Sequence, residues 1–192
     1  MPDLTGQPGF TELPVGAFLR AMAAPQPAPA GGCAAALALA QAAALCAKTA
    51  RLSARQLTAE RSGQLTADAE QIRETAASLV DEDARAYRAV IEARRQQAEA
   101  GRMADALSRA ADVPMRIIEL ASSAAEVASA LAAEGKLALR GDALTALLLA
   151  QAAARSAAIL VRIDLAGAPA DPRLDRAERL LALIAQSADG VG

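Results

Sequence analysis

GGCAAALALAQAAALCA, residues 31–47, is the stretch that decides the fold. Alanine is the strongest helix former, and Gln41 is the only strongly polar side chain in the run. A helix that is apolar on every side must be covered on several sides by other elements. The reading predicts a central helix opened by Gly31 and Gly32 and reaching to about Leu57.

Upstream, the Pro25-Gln-Pro-Ala-Pro29 run breaks the chain, since each proline lacks a donor and restricts its predecessor. Before it, Thr11–Ala24 reads as a helix, with Pro14 in its first turn and Val15, Phe18, Leu19 and Met22 on one face. Downstream, Gly63 marks a turn, and a long helix runs from Leu65 to Ala100. Leu65, Ile72 and Leu79 recur at seven, beside Ala69, Ala76, Asp83 and Val90, as in near-antiparallel bundle packing. Gly101 ends that pattern. Met103–Ala133 is the next helix, kinked or split at Pro114. Gly135–Gly141 is a connector, followed by helices over Asp142–Leu165 and Pro172–Ser187. The expectation is one all-α domain over residues 1–192, an up-and-down bundle of about six helices.

Composition agrees. Hydrophobic residues make up 54% of the 192 but aromatics only 2%, and strand-favouring types are sparse. Net charge is −2 with no basic patch, so no nucleic-acid partner is expected. There are no histidines, which excludes a Ser-His-Asp triad, a Cys-His pair and any histidine-ligated metal. No metal site is expected. Cys33 and Cys46, on one helix, would lie about 20 Å apart at about 1.5 Å per residue. That exceeds the ~7 Å a disulfide bridges, and two free thiols fit a reducing, cytoplasmic setting. The start MPDLTGQPGF has neither the basic nor the apolar region of a signal peptide. The apolar stretch 143–161 contains Gln151 and Arg155 and is mostly alanine, a poor composition for a membrane span.

Three places can carry chemistry. Gly31 and Gly32 open a helix, where exposed N–H groups and the positive dipole end attract an anion or carbonyl. They equally suit the close crossing of two helices. Asp83 stands in an otherwise apolar row with Tyr87 one turn on. A carboxylate there is a candidate acid or base, unless the row is solvated at that point or an arginine pairs with it. Asp142, after Gly141, reads as a helix N-cap. Gln151, Arg155 and Arg162 on the same helix either line a polar pocket or face solvent. An arginine there suits a carboxylate. Cys33, at a helix start, has the setting of a lowered thiol pKa but no base beside it.

Five segments resemble, in order, the formiminotetrahydrofolate cyclodeaminase and methenyltetrahydrofolate cyclohydrolase family. Ala23–Leu37 resembles its Pro-Ala-Pro-Gly-Gly-Gly-Ser-Ala-Ala-Ala signature, and Asp81–Val90 its Asp-x-x-Ala-Tyr/Phe segment. Val113-Pro114 resembles its mid-chain Val-Pro. Gly135–Asp142 resembles its Gly-Asn-x-Asn-x-x-Ser/Thr-Asp connector, and Ala157–Leu165 its Asn-Val-Arg-Ile-Asn-Leu ending. The resemblance implies a helical bundle, usually a homodimer, with a reduced folate held near the glycine-rich helix start and the connector. It implies no metal or redox cofactor; the tetrahydrofolate derivative is the substrate. Asp142 and Asp83 are the candidate catalytic residues, and Gly31, Gly32, Cys33, Tyr87, Lys136 and Arg162 the candidate binding residues. Ala30, Cys33, Lys136, Ala138, Leu160 and Asp164 depart from the family pattern, four of them at asparagine positions. The alternative expectation is therefore a non-catalytic helical homologue that binds another ligand or a protein partner.

Overall fold

Helices account for nearly the whole of the computed structural model, which describes residues 9–189 and has no strand among them. A 3₁₀ turn, Phe10–Glu12, precedes α1 (Val15–Ala23), α2 (Gly31–Leu52), α3 (Ala59–Arg95) and α4 (Ala100–Glu134). A second 3₁₀ turn, Leu137–Leu139, leads into α5 (Arg140–Asp164), and α6 (Pro172–Asp189) ends the described chain. The reading of the first residues as free of a signal peptide falls on Met1–Pro8, outside the described residues.

Helices α2 to α5 form a closed ring in up-and-down order: each packs on the next, α5 returns to α2, and α4 crosses the middle to touch α2. α6 covers α4 and α5. The apolar run in α2 fits this position. Cys33, Ala36, Leu39, Ala42, Ala43, Cys46 and Ala50 are completely buried, and alanine lets the neighbouring backbones come close. The two rows expected on α3 are also buried, from Leu65 and Ala69 to Val90, Asp83 included. α2 and the stretch Leu137–Asp164, which joins the second 3₁₀ turn to α5, are both long and apolar enough to cross a membrane by length and composition, with mean hydropathies of 1.5 and 1.7. In α2 that apolarity serves the bundle centre. α5 keeps an outer face with exposed Leu148, Ile159 and Ile163.

Several boundaries differ from the sequence expectation. α2 stops at Leu52, five residues short, because Ser53 caps it and the chain turns there. The turn predicted at Gly63 lies inside α3. The real start is Thr58, whose Oγ1 accepts the Arg61 N–H at 3.1 Å. Gly101 likewise lies in the first turn of α4, and the chain reverses at Gln96–Glu99, with Gln97 in the left-handed region (φ 49°). α4 runs through Pro114 unbroken. Pro14 precedes α1 as its N-cap, and of the predicted face Phe18 is buried while Val15 and Leu19 are exposed. α5 begins at Arg140, because the 3₁₀ turn before it feeds directly into the helix.

Lengths set the shape. α3 and α4 continue past the start of α2 as a two-helix hairpin with its own small cluster, Val90, Ala106 and Ala110. From Asp83 to Arg95 this overhang measures about 18 Å at 1.5 Å per residue. The α5–α6 turn is pinned to α4 by Arg173, which bonds Asp171, Ser108 and Asp112 at 2.6–2.9 Å. These bonds from Arg173 hold the Asp171 carboxyl down at about 2. A depressed carboxylate stabilises the fold above its unfolded pKa and loses that contribution as pH falls through the folded value. Arg173→Ala is expected to cost on the order of 1–2 kcal/mol in urea unfolding at pH 7, with the deficit shrinking between pH 4 and pH 2. A deficit independent of pH would contradict this assignment.

Candidate functional site

The site forms where α2 begins, α5 ends and the α3–α4 overhang rises beside them. The chain enters α2 through a cis Ala28–Pro29 bond, with both residues buried. Ala30 is extended and offers no side-chain cap, so the first amides of α2 need acceptors from elsewhere. Asp83 supplies one. Its carboxylate accepts from the Cys33 backbone N–H and from the Cys33 thiol, Sγ to Oδ2 at 3.3 Å. The same thiol reaches the Val80 carbonyl at 3.3 Å.

This explains Gly32. A Cβ at that position would land on the Asp83 carboxylate, whereas a Cβ on Gly31 would meet nothing within 4 Å. The two glycines therefore differ in role: Gly32 admits the carboxylate, and Gly31 faces a groove of about 380 Å³ between α2 and α5. Ala34, Ala38, Ser156, Ile159 and Leu160 line that groove, so it is mostly apolar.

Asp83 is 9% exposed, and burial pushes its pKa up against the lowering effect of the Cys33 hydrogen bonds. The solvated and arginine-paired alternatives for this residue are set aside by that burial and by the Cys33 contact. The Cys33 thiol is pushed up to about 12, first by burial and then by the Asp83 charge. It stays protonated and serves as a donor, so it is no nucleophile. Tyr87, one turn beyond Asp83, is 40% exposed on the overhang. Arg162 is exposed near the end of α5.

Asp142 and Lys136 lie elsewhere. Asp142 is not the N-cap; it is the third residue of α5 and takes a Lys48 ion pair at 2.7 Å. Lys48 stands near the other end of α2, roughly 22 Å along the axis from Cys33 at 1.5 Å per residue. The Lys136 side chain is exposed, and its backbone N–H donates to the buried Ser53 hydroxyl at 2.9 Å. Within one chain, then, Gly31, Gly32, Cys33, Asp83, Tyr87 and Arg162 gather at one end of the bundle, and Asp142 and Lys136 at the other. Gln151 turns inward to bond the Ile184 carbonyl of α6, while Arg155 faces solvent.

Two residues were not among the sequence candidates. Asp164, the last residue of α5, is half-buried, and burial together with the nearby Asp83 charge pushes its carboxyl up to about 6. Arg94, on the overhang, acts on it in the opposite sense. Arg94 stands eleven residues after Asp83 and shares its helical face, a spacing visible in the sequence but lost among the other arginines of that segment.

Among the described residues no three His, Cys, Asp or Glu side chains come together as metal ligands would. What the arrangement offers is a buried carboxylate, its pKa raised by burial, hydrogen-bonded to the first turn of α2 where the helix dipole is positive. A carboxylate in that setting can take or give a proton.

Residues 14–177 match the family model described as formiminotransferase-cyclodeaminase. The fold is also that of the formiminotetrahydrofolate cyclodeaminase from Thermotoga maritima. That crystal structure aligns with a TM-score of 0.82 and 24% identity over 94% of this chain and 92% of that one. No curated protein matches the chain.

The glycine pair gives a direct contrast. Gly32→Ala is expected to lower stability by about 3 kcal/mol or more, since the buried carboxylate must be displaced. Gly31→Ala should stay within about 0.5 kcal/mol of the parent or gain a little helix propensity. Equal effects in denaturant titrations would refute this account of the α2 start.

Proposed function

This chain belongs to the formiminotransferase-cyclodeaminase family, and we propose that it is an enzyme acting on the one-carbon unit of a reduced folate, as a methenyltetrahydrofolate cyclohydrolase or a formiminotetrahydrofolate cyclodeaminase. The observation that carries the reading is the Asp83 carboxylate, buried at the start of α2 and held by the Cys33 N–H and thiol. Both reactions need a base that takes a proton from the attacking group and a proton for the departing nitrogen.

In the cyclohydrolase reaction the oxygen of water bonds to the methenyl carbon, and its proton passes to the base. The carbon–nitrogen bond then breaks with its electron pair left on nitrogen, which takes a proton, and the hydroxyl loses its own as the formyl carbonyl forms. One proton is released overall. In the cyclodeaminase reaction a folate N–H nitrogen attacks the formimino carbon and gives its proton to the base; the imino nitrogen takes up that proton and one from solution and leaves as ammonia with the electron pair of its bond to carbon, and the cationic methenyl bridge remains. Asp83 serves as the base. The apolar groove beside Gly31 takes the flat pterin ring, Tyr87 on the overhang is a further binding residue, and Arg162 meets a folate carboxylate. Asp142 and Lys136 complete this site only if a second chain supplies them.

A homodimer does that. Packing the exposed α5 face of two copies about a two-fold axis perpendicular to α5 makes the two α5 helices antiparallel, and, because α2 runs antiparallel to α5, sets the start of α5 in one chain near the start of α2 in its partner. Leu148, Ile159 and Ile163 give this face its apolar surface. With two free, buried cysteines, we assign the protein to the cytoplasm.

The test is loss of near-ultraviolet absorbance of methenyltetrahydrofolate, with the formimino substrate run in parallel for ammonia release. Wild type should exceed buffer with one substrate, and Asp83→Asn should fall about 10²–10⁴-fold. Asp83→Asn and Asp142→Asn homodimers, refolded together, should recover about a quarter of wild-type activity through mixed dimers with one intact site. No turnover, and no thermal shift with any reduced folate, would leave the non-catalytic homologue; Lys136, Ala138, Leu160 and Asp164 would then account for the loss.

A further inference from the structure

One side chain at the α2 start meets two acceptors with a single hydrogen to give. The Cys33 Sγ lies 3.3 Å from the Val80 carbonyl oxygen and 3.3 Å from Asp83 Oδ2. Both acceptors belong to α3, one turn apart, and Cys33 is completely buried against them. A thiol carries one hydrogen and accepts weakly at sulfur. It cannot give that hydrogen fully to both oxygens at once. Burial, and then the Asp83 charge, push the thiol pKa up to about 12, so the hydrogen stays on sulfur.

Which oxygen the S–H meets follows from the proton on Asp83. An ionised carboxylate only accepts, and a charge-assisted bond is the stronger, so the S–H turns to Oδ2. Once Oδ2 holds a proton it becomes a donor aimed at sulfur, and the S–H turns to the Val80 carbonyl. In each state the thiol and the carboxyl both have partners, as a buried site requires. The Cys33 backbone N–H, fixed by the first turn of α2, also bonds the carboxyl.

Resting on the folate reading of the preceding subsection, we propose that Cys33 is a positioning residue for Asp83: its thiol turns with the Asp83 proton, donating to the ionised carboxylate and, once Oδ2 is protonated, accepting from it while donating to the Val80 carbonyl. The proton that Asp83 takes from the attacking group stays on Oδ2. No bond to sulfur forms or breaks, and the thiol keeps its own hydrogen. The carboxyl is thereby held in one place before and after it acts as a base. A thiol is a weaker donor than the serine hydroxyl of the resembled motif, so it favours the ionised form less and leaves Asp83 a stronger base.

The other charged groups nearby are the same in every variant compared. From α5, Asp164 feels the Asp83 charge, and Arg162 is exposed. On α3, Arg94 acts on Asp164, Tyr87 stands one turn beyond Asp83, and Asp81 accepts the Phe10 N–H. From α4, Arg116 is taken by Glu82.

Infrared spectroscopy of the S–H stretch, a band clear of other protein absorption, reads the turn without turnover. The Cys33 band, identified by its loss in Cys33→Ser, should move between about pH 4 and pH 7.5 in wild type and stay fixed in Asp83→Asn. Cys46, whose acceptor is the Ala124 carbonyl at 4.0 Å, should give a band that does not move. In turnover, the acid limb of the kcat/KM profile reports the base of the free enzyme. Cys33→Ser, with the stronger donor, should shift that limb about half a unit to lower pH, and Cys33→Ala, with no donor, about one unit to higher pH, each with KM within about twofold. The band measurement stands even where the alanine variant fails to fold. A Cys33 band that ignores the state of Asp83, or limbs that shift the same way in both variants, overturns the proposal. The moving band, found in a wild-type protein that turns over no folate, supports the turning thiol and overturns the folate reading alone.

Discussion

Much of this molecule depends on one contact, the Asp83 carboxylate set against the first turn of α2. A buried carboxylate without partners costs several kcal/mol, and a helix start without acceptors leaves N–H groups unsatisfied. Each solves the other's problem. The Cys33 amide and thiol point at the carboxylate, fifty residues apart in sequence. The contact fixes the register of α3 against α2 and forbids a side chain at Gly32. Burial leaves Asp83 with a greater hold on its proton than a surface aspartate has.

The second constraint is length. α2 and α5 are shorter than α3 and α4, so the ring of four helices is uneven at one end. The step exposes the start of α2 and the end of α5 under a wall carrying Tyr87 and Arg94. Opposed helix ends, one positive and one negative, meet there, giving the site its electrostatic contrast without a metal ligand set or a histidine. At the other end of α2, Lys48 pairs with Asp142 and the Ser53 hydroxyl holds the Lys136 amide. One chain thus carries two polar ends of different character, separated by an apolar groove and the exposed apolar face of α5.

The all-helical bundle was legible in the sequence because its signals are periodic and long. The alanine run of α2 and the seven-residue rows of α3 are repeated statements of burial, and the structure keeps them. The turns were less legible. Gly63, Gly101 and Gly141 read as breaks, yet each lies inside a helix, where glycine is only a modest cost. The true ends were marked by Thr58 capping and by Gln97 in a left-handed conformation, weaker signals than a glycine. Asp83 could be picked out because a charge in an apolar row is conspicuous. Its partner Cys33 was singled out as a thiol at a helix start, but nothing local in the sequence joins it to a carboxylate fifty residues away. Asp142 carried the pattern of an N-cap, but the 3₁₀ turn ahead of it moved the helix start two residues back. That Asp83 and Asp142 lie at opposite ends of α2 follows from the antiparallel return of α5, which no local pattern records.

The proposed function holds a reduced folate where α2 begins and α5 ends. Amide hydrogen exchange with and without 5-formyltetrahydrofolate, a stable reduced folate, tests it most directly. The claim predicts slower exchange on folate addition in the segments 29–35 and 160–166, and no such change in the Asp83→Asn protein. Unchanged exchange in those segments, or protection confined to other parts of the bundle, would contradict it.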